Sequence, residues 1–172
     1  MHKAVFLDRD GTIIYDTGYP KDPEIIRLMP GVPEALSLIK QKGFKLIIVS
    51  NQSGIGRGIL TEHDVDRINE RILLLLNLKG ISIDGIYYCP HNPEEACSCR
   101  KPSPEMLFRG AIDHNVDLSK SFMIGDKPSD IEAGKRAGCK TILICNSFSI
   151  DSNETLPDFF AKNWHDILAY FS

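Results

Sequence analysis

The sequence predicts an α/β fold in which a mainly parallel sheet is covered by helices on both faces. Three observations carry the prediction. Short continuous apolar runs recur along the chain, as in strands buried on both sides. Segments of helical periodicity separate them, as right-handed crossover connections require. Several runs close on glycine with acidic or hydroxyl residues, which gathers chemistry at one rim of the sheet. The expected architecture is a Rossmann-like, three-layer α/β/α domain spanning residues 1–172.

The first strand is expected over residues 3–8, where Ala4-Val5-Phe6-Leu7 runs into Asp8-Arg9-Asp10-Gly11-Thr12. Residues 32–41 read as an amphipathic helix closed by Gly43, and 44–50 (FKLIIVS) as the second strand. A long helix follows over 61–79, with Thr61 as N-cap, Asp64 in its first turn and Gly80 at its end. Residues 83–89 form the third strand. Ser103-Pro104 opens the next helix with a cap followed by proline, whose fixed φ suits the first helical position. Residues 121–126 (SFMIGD) are the fourth strand, and 128–137 a short helix ended by Gly138. A fifth strand covers 140–145 (KTILIC), and 163–171 is a terminal helix.

A length of 172 residues suits one well-buried core rather than two. The net charge of −3 argues against a nucleic-acid or acidic-membrane surface. Ile72-Leu73-Leu74-Leu75-Leu76 is the best membrane candidate, and it falls far short of the roughly 20 apolar residues a spanning helix needs. The first strand begins too early to leave room for a signal peptide. The expected setting is therefore the cytoplasm, where structural disulfides are rare. The five cysteines then need another account.

Four segments carry groups suited to phosphate chemistry. Asp8 and Asp10 can hold a hard divalent cation, and one of them can attack phosphorus; an acidic turn after a strand is the plain alternative. Ser50-Asn51-Gln52-Ser53-Gly54 offers a hydroxyl and backbone N–H donors for a phosphoryl oxygen, or is simply a loop. Arg100-Lys101-Pro102 supplies fixed positive charge, or a solvated pair. Gly125-Asp126-Lys127 closes the fourth strand, with Asp130 expected to be a surface helical residue. In-line displacement at a phosphate ester builds charge on the equatorial oxygens, and a cation, a lysine and N–H donors offset it. Together and in this order, the four segments make chance a poor account.

Cys89-Pro90-His91 and Cys97-Ser98-Cys99 bring three thiols and one imidazole into a short span, residues 89–99. That is the ligand set of a closed structural Zn²⁺ site. A redox-active Cys97/Cys99 pair, or buried thiols beside an exposed His91, are the alternatives. Zinc in this loop would fix the chain just before Arg100 and Lys101. Cys139 and Cys145 read as small buried hydrophobes, and His2, His63, His114 and His165 as surface residues.

The ordered segments LDRDGT, VSNQSG, RKP and GDKPSD resemble the four motifs of the haloacid dehalogenase (HAD) superfamily of aspartate-nucleophile phosphatases. The resemblance runs from residue 3 to about residue 145. It implies a HAD-like fold with Asp8 as nucleophile and Asp10 as general acid and then base. It further implies Mg²⁺ on Asp8, the Asp10 carbonyl and Asp126, with Ser50 and Lys101 on the transferring phosphoryl group. Ser50 stands where many members have threonine, which keeps the hydroxyl. Large cap domains are frequent in the superfamily, but here residues 11–30 leave room only for a flap, and the connection after the third strand is the cysteine loop.

Capless members with such a loop resemble two enzyme groups, the heptose bisphosphate phosphatases and the histidinol-phosphate phosphatases. Asp16-Thr17-Gly18-Tyr19, NQSGIGRG, IYYCPH and CRKPSPEM are similar to the heptose group. That resemblance implies substrate contacts from Asp16, Thr17, Gly18, Tyr19, Ser50, Asn51, Gln52, Ser53, Arg100, Lys101 and Lys127. It implies a cytoplasmic monomer that acts on a small sugar bisphosphate, with the C7 phosphate removed on the route to bacterial heptose glycans. Glu105 departs from the glycine usual after RKPxP and would bring negative charge near the pocket. Arg57 either pairs with a second phosphate or lies exposed in its Gly-Arg-Gly loop. A receiver-like signalling module is the rival from another class, and it lacks a carboxylate two residues after its phosphate acceptor.

Overall fold

The structure is a computed structural model that describes residues 1–146 and 155–172. Among these residues six strands form one parallel sheet: β1 (Lys3–Leu7), β2 (Phe44–Asn51), β3 (Gly85–Cys89), β4 (Phe122–Gly125), β5 (Lys140–Ile144) and β6 (Phe159–Ala161). Their order is β3-β2-β1-β4-β5-β6, every neighbouring pair parallel. The chain therefore winds outward from β1 in both directions, and the crevice beyond the carboxyl ends of β1 and β4 is where such sheets bind ligands.

The helices are α1 (Val32–Gln41), α2 (Ser53–Gly56), α3 (Glu62–Asn77), α4 (Glu105–His114), α5 (Pro128–Ala137) and α6 (Trp164–Phe171). Alternate residues of β1 serve opposite faces, as the pleat dictates. Val5 and Leu7 pack into the core under α1, α3 and α6, whereas Ala4 and Phe6 pack under α4 and α5. Side chains buried between the layers make the sheet a rigid platform for its loops.

The local signals explain most boundaries. Thr61 caps α3 and receives the Asp64 N–H, while the Asp64 carboxylate takes the Thr61 N–H and completes a capping box. Gly138 ends α5 in the left-handed region. The start of α4 differs from expectation: the helix begins at Glu105, Pro104 holds the cap position, and the Ser103 hydroxyl instead accepts the Glu105 N–H at 3.3 Å. Cys139 is buried as expected, but Cys145 is only partly so. The three-residue strand β6 and the single-turn α2 are too short to leave a periodic pattern. Near the C-terminus, the buried Trp164 donates its indole N–H to the Thr12 carbonyl at 2.7 Å, joining α6 to the turn after β1.

Candidate active site

Parallel pairing places the ends of β1, β2 and β4 side by side, and the functional groups of the sequence motifs gather there. Asp8 follows β1 directly, and its N–H donates to the Ile124 carbonyl of β4 at 2.9 Å. Lys101 enters from the cysteine loop, and its buried ammonium has three acceptors: Asp8 Oδ1 at 2.7 Å, Asp130 Oδ1 at 2.7 Å and the Val49 carbonyl at 2.8 Å. An ammonium has three protons, so its position is fully determined. The backbone of Lys101 is pinned as well. Asn51 Oδ1 accepts its N–H at 3.0 Å, and Asn51 Nδ2 donates to its carbonyl at 3.1 Å.

Asp130 corrects the sequence expectation. It is 1% exposed rather than a surface residue, because the ammonium of Lys101 compensates its charge and the Lys127 N–H donates to its Oδ2 at 3.1 Å. Gly125 makes the space: a Cβ there would collide with the Asp130 carboxylate. Gly11 does the same for Asp126, whose Oδ2 a Cβ would strike, and its φ of +83° also favours glycine. Thr12 donates its hydroxyl to Asp126 Oδ1 at 3.3 Å.

Oxygens of Asp8, Asp126 and Asp130 lie within 4.8 Å of one another. Burial opposes the charge on Asp8, but Lys101 outweighs it and holds that carboxyl below its ordinary range. The other two go the opposite way. Burial, reinforced by the charge of Asp8, raises Asp126 to about 7 and Asp130 to about 6. Three carboxylates beside the ammoniums of Lys101 and Lys127 leave an excess of negative charge, and hard oxygen donors at this spacing suit a small divalent cation. The set fits Mg²⁺.

Asp10 faces the same cleft but is held by other groups. Arg9 Nε and Gln52 Nε2 each donate to its Oδ2 at 2.9 Å. Gln52 also donates to Ser50 Oγ at 2.5 Å. The cleft has a volume of about 410 Å³. Of the residues expected to meet phosphate or sugar, Asp16, Gly18, Tyr19, Ser50, Asn51, Gln52, Ser53, Arg100, Lys101 and Lys127 line it, and exposed Thr17 does not. Ser129 lines it too, without any signal in the sequence beyond its place two residues after Lys127. Tyr19 anchors the flap to the loop after β2, since a Cβ on Gly54 would stand 2.7 Å from its ring. Here one pair of alternatives is decided and one expectation falls away. Arg57 is exposed and stands outside the lining, and Glu105 lines a different cleft, together with Tyr87, His91, Cys99 and Arg109.

At the end of β3, Cys89, His91, Cys97 and Cys99 place their donor atoms within 4.8 Å of one another. Tetrahedral zinc with its usual bond lengths needs S···S edges of about 3.8 Å and S···N edges of about 3.5 Å. Cys89–Cys97 is 3.7 Å, Cys89–His91 3.5 Å and Cys99–His91 3.3 Å, while Cys89–Cys99 is tighter at 2.8 Å. Burial raises the Cys89 thiol well above its ordinary range. The donor set is that of a closed structural Zn²⁺ site. Arg100 donates from Nη1 to the His91 carbonyl at 3.3 Å, so the loop steers this cleft arginine.

This chain is similar to known proteins in sequence and in fold. A family model described as HAD-hydrolase-like matches residues 98–166. A D-glycero-beta-D-manno-heptose-1,7-bisphosphate 7-phosphatase of Helicobacter pylori (strain J99) is 45% identical over 83% of each chain. Its counterpart in Haemophilus ducreyi is 38% identical over 98% of this chain and 97% of its own. This chain belongs to that HAD phosphatase family. As a member it is a phosphoric monoester hydrolase. The D,D-heptose 1,7-bisphosphate phosphatase of B. bronchiseptica, solved with magnesium and phosphate, superposes with a TM-score of 0.85 at 26% identity, covering 98% of this chain and 97% of that one. No helix among the described residues is long and apolar enough to cross a membrane.

Proposed function

We propose that this family member removes the C7 phosphate of D-glycero-D-manno-heptose 1,7-bisphosphate, in cytoplasmic heptose biosynthesis, as a single-domain monomer. The observation that carries the reading is the cleft itself, where Asp8, Asp10 and Lys101 meet the flap residues Asp16 and Tyr19 and the loop-held Arg100. Agreement of the relatives' substrate across nearly the whole chain supports it.

In this reading an Asp8 carboxylate oxygen attacks phosphorus and the bond from phosphorus to the sugar oxygen breaks. Asp10 gives its proton to the departing alkoxide. Water then attacks the aspartyl-phosphate, Asp10 takes the water's proton, and Asp8 and inorganic phosphate are released. The positive charge of Lys101, the Ser50 hydroxyl and the Ser53 N–H offset the charge that grows on the equatorial oxygens, whereas the Gln52 N–H is already given to the Cys89 carbonyl at 2.8 Å. Asp8, the Asp10 carbonyl and Asp126 would hold Mg²⁺, which supplies charge neutralisation between nucleophile and phosphate dianion. Zn²⁺ on Cys89, His91, Cys97 and Cys99 has a structural part, because four protein ligands leave no coordination position for substrate. Arg100, Lys127 and the flap grip the rest of the sugar phosphate.

Phosphate release in Mg²⁺ from the heptose bisphosphate and from histidinol phosphate, measured side by side, tests the reading. A strong preference for the heptose ester, with ³¹P spectra showing the C7 signal lost and the C1 signal retained, is expected. Preference for histidinol phosphate would overturn the substrate and leave the chemistry standing.

A further inference from the structure

Arg9 lies between the two catalytic carboxylates in sequence, yet it is 1% exposed and does not line the cleft they face. A guanidinium is almost never buried without partners, and Arg9 has two. Its Nε donates to Asp10 Oδ2 at 2.9 Å and its Nη2 to Asp10 Oδ1 at 3.3 Å, a two-pronged contact. Its Nη1 donates to Asn69 Oδ1 at 2.8 Å. Asn69 is a buried amide on the otherwise apolar inner face of α3, beside Ile68, Ile72 and Leu76. A polar side chain there costs stability unless it is hydrogen-bonded, and Arg9 is the partner it has.

The two oxygens of Asp10 are not equivalent. Oδ2 carries the short contacts from Arg9 and Gln52, whereas Oδ1 carries only the longer one. We infer that Arg9, braced by Asn69, is a positioning residue that locks Asp10 through Oδ2 and presents Oδ1 to the cleft as the proton-transfer oxygen. This rests on Asp10 acting as acid and base in the proposed reaction and adds what aims it. A rigid helix 60 residues away in sequence thereby sets the orientation of the catalytic carboxyl. Fixing such a group within a fraction of an ångström is what separates an effective proton donor from a merely adjacent one.

A comparison of leaving groups tests the inference. A sugar alkoxide needs a proton to depart, whereas p-nitrophenolate leaves without one. In single-turnover experiments with Mg²⁺, Arg9→Met is expected to slow cleavage of the heptose bisphosphate by about 100-fold. The nitrophenolate burst from p-nitrophenyl phosphate should stay within about threefold of the unmodified enzyme, because only the second step then needs Asp10. Asn69→Ala, which keeps the Arg9–Asp10 pair but removes its brace, should show the same asymmetry at about three- to tenfold. Arg9→Lys restores at most one prong and should recover only part of the loss. Equal losses on both substrates, or a change confined to KM, would overturn the role of Arg9. Should Arg9→Met fail to fold, Asn69→Ala decides on the same criterion. Failure of the unmodified enzyme to form an aspartyl-phosphate at Asp8 would instead overturn the underlying reaction scheme.

Discussion

Two clusters sit at the same rim of the sheet and are built on opposite principles. The carboxylate cluster draws Asp8, Lys101, Asp126 and Asp130 from three separate stretches of chain, and the parallel strands bring them together. The thiol cluster draws four ligands from residues 89–99 alone, a loop tied to the body by the end of β3 and by the Gln52 and Gly56 N–H groups on the Cys89 and Pro90 carbonyls. The first has its shape from the fold and an excess of negative charge. The second gathers three sulfurs and one imidazole nitrogen within one short loop, where a metal would bond four side chains to one another. A cation should therefore tune the first cluster and build the second.

The sharpest break of the catalytic cluster is Asp8→Asn. We expect phosphate release to fall by on the order of 10⁴-fold or more, as for loss of a nucleophile, with thermal melting changed by only a few degrees. Turnover near that of the unmodified enzyme would remove Asp8 from its role.

Cys97→Ser probes the other cluster, and its expected signature is the reverse. Zinc content by elemental analysis should drop from one per chain to near zero, with stability lowered on the order of 5 kcal/mol, part of the roughly 10–16 that structural zinc can contribute. Activity should fall chiefly through KM, because Arg100 leans on the His91 carbonyl. A metal-free protein of full stability would collapse the contrast between the two clusters.

The smallest effect sharpens the comparison through pH. Asp126 and Asp130 have folded-state values raised to about 7 and about 6. Without a cation, the native state thus binds protons that the unfolded chain has released, and stability falls as pH rises from about 4 to about 7. Asp8, held low by Lys101, contributes in the opposite sense and only at more acid pH. Added Mg²⁺ should accordingly raise the melting temperature by a few degrees at pH 8 and by clearly less at pH 5. An equal rise at both values would mean that the carboxylates do not share the cation site.

The strands and most helices were legible because apolar runs and caps are local signals. Val32–Gln41 and Pro128–Ala137 coincide with expectation to the residue. The motif aspartates were legible because a strand end fixes where its next residue points. Asp130 was not, because its burial depends on the absent side chain of Gly125 and on a lysine reached through another loop. Arg9 was hidden for the same reason, since Asn69 reads as one more polar residue in a helix until the fold turns it inward. Arg57 and Glu105 show the converse: charges near a motif in sequence that the backbone carries out of the cleft.

The hydrogen bond from Trp164 to the Thr12 carbonyl has a consequence for how the enzyme comes into being. Thr12 leaves the ribosome 152 residues before its partner Trp164, with Asp8 and Asp10 just ahead of it. β1 meanwhile waits for β4, whose Ile124 carbonyl receives the Asp8 N–H. The nucleophile is thus made before Lys101, Asp126 and Asp130, and it takes its place in the site only once they follow. Until Trp164 follows in turn, the Thr12 carbonyl lacks the partner that ties its loop to α6.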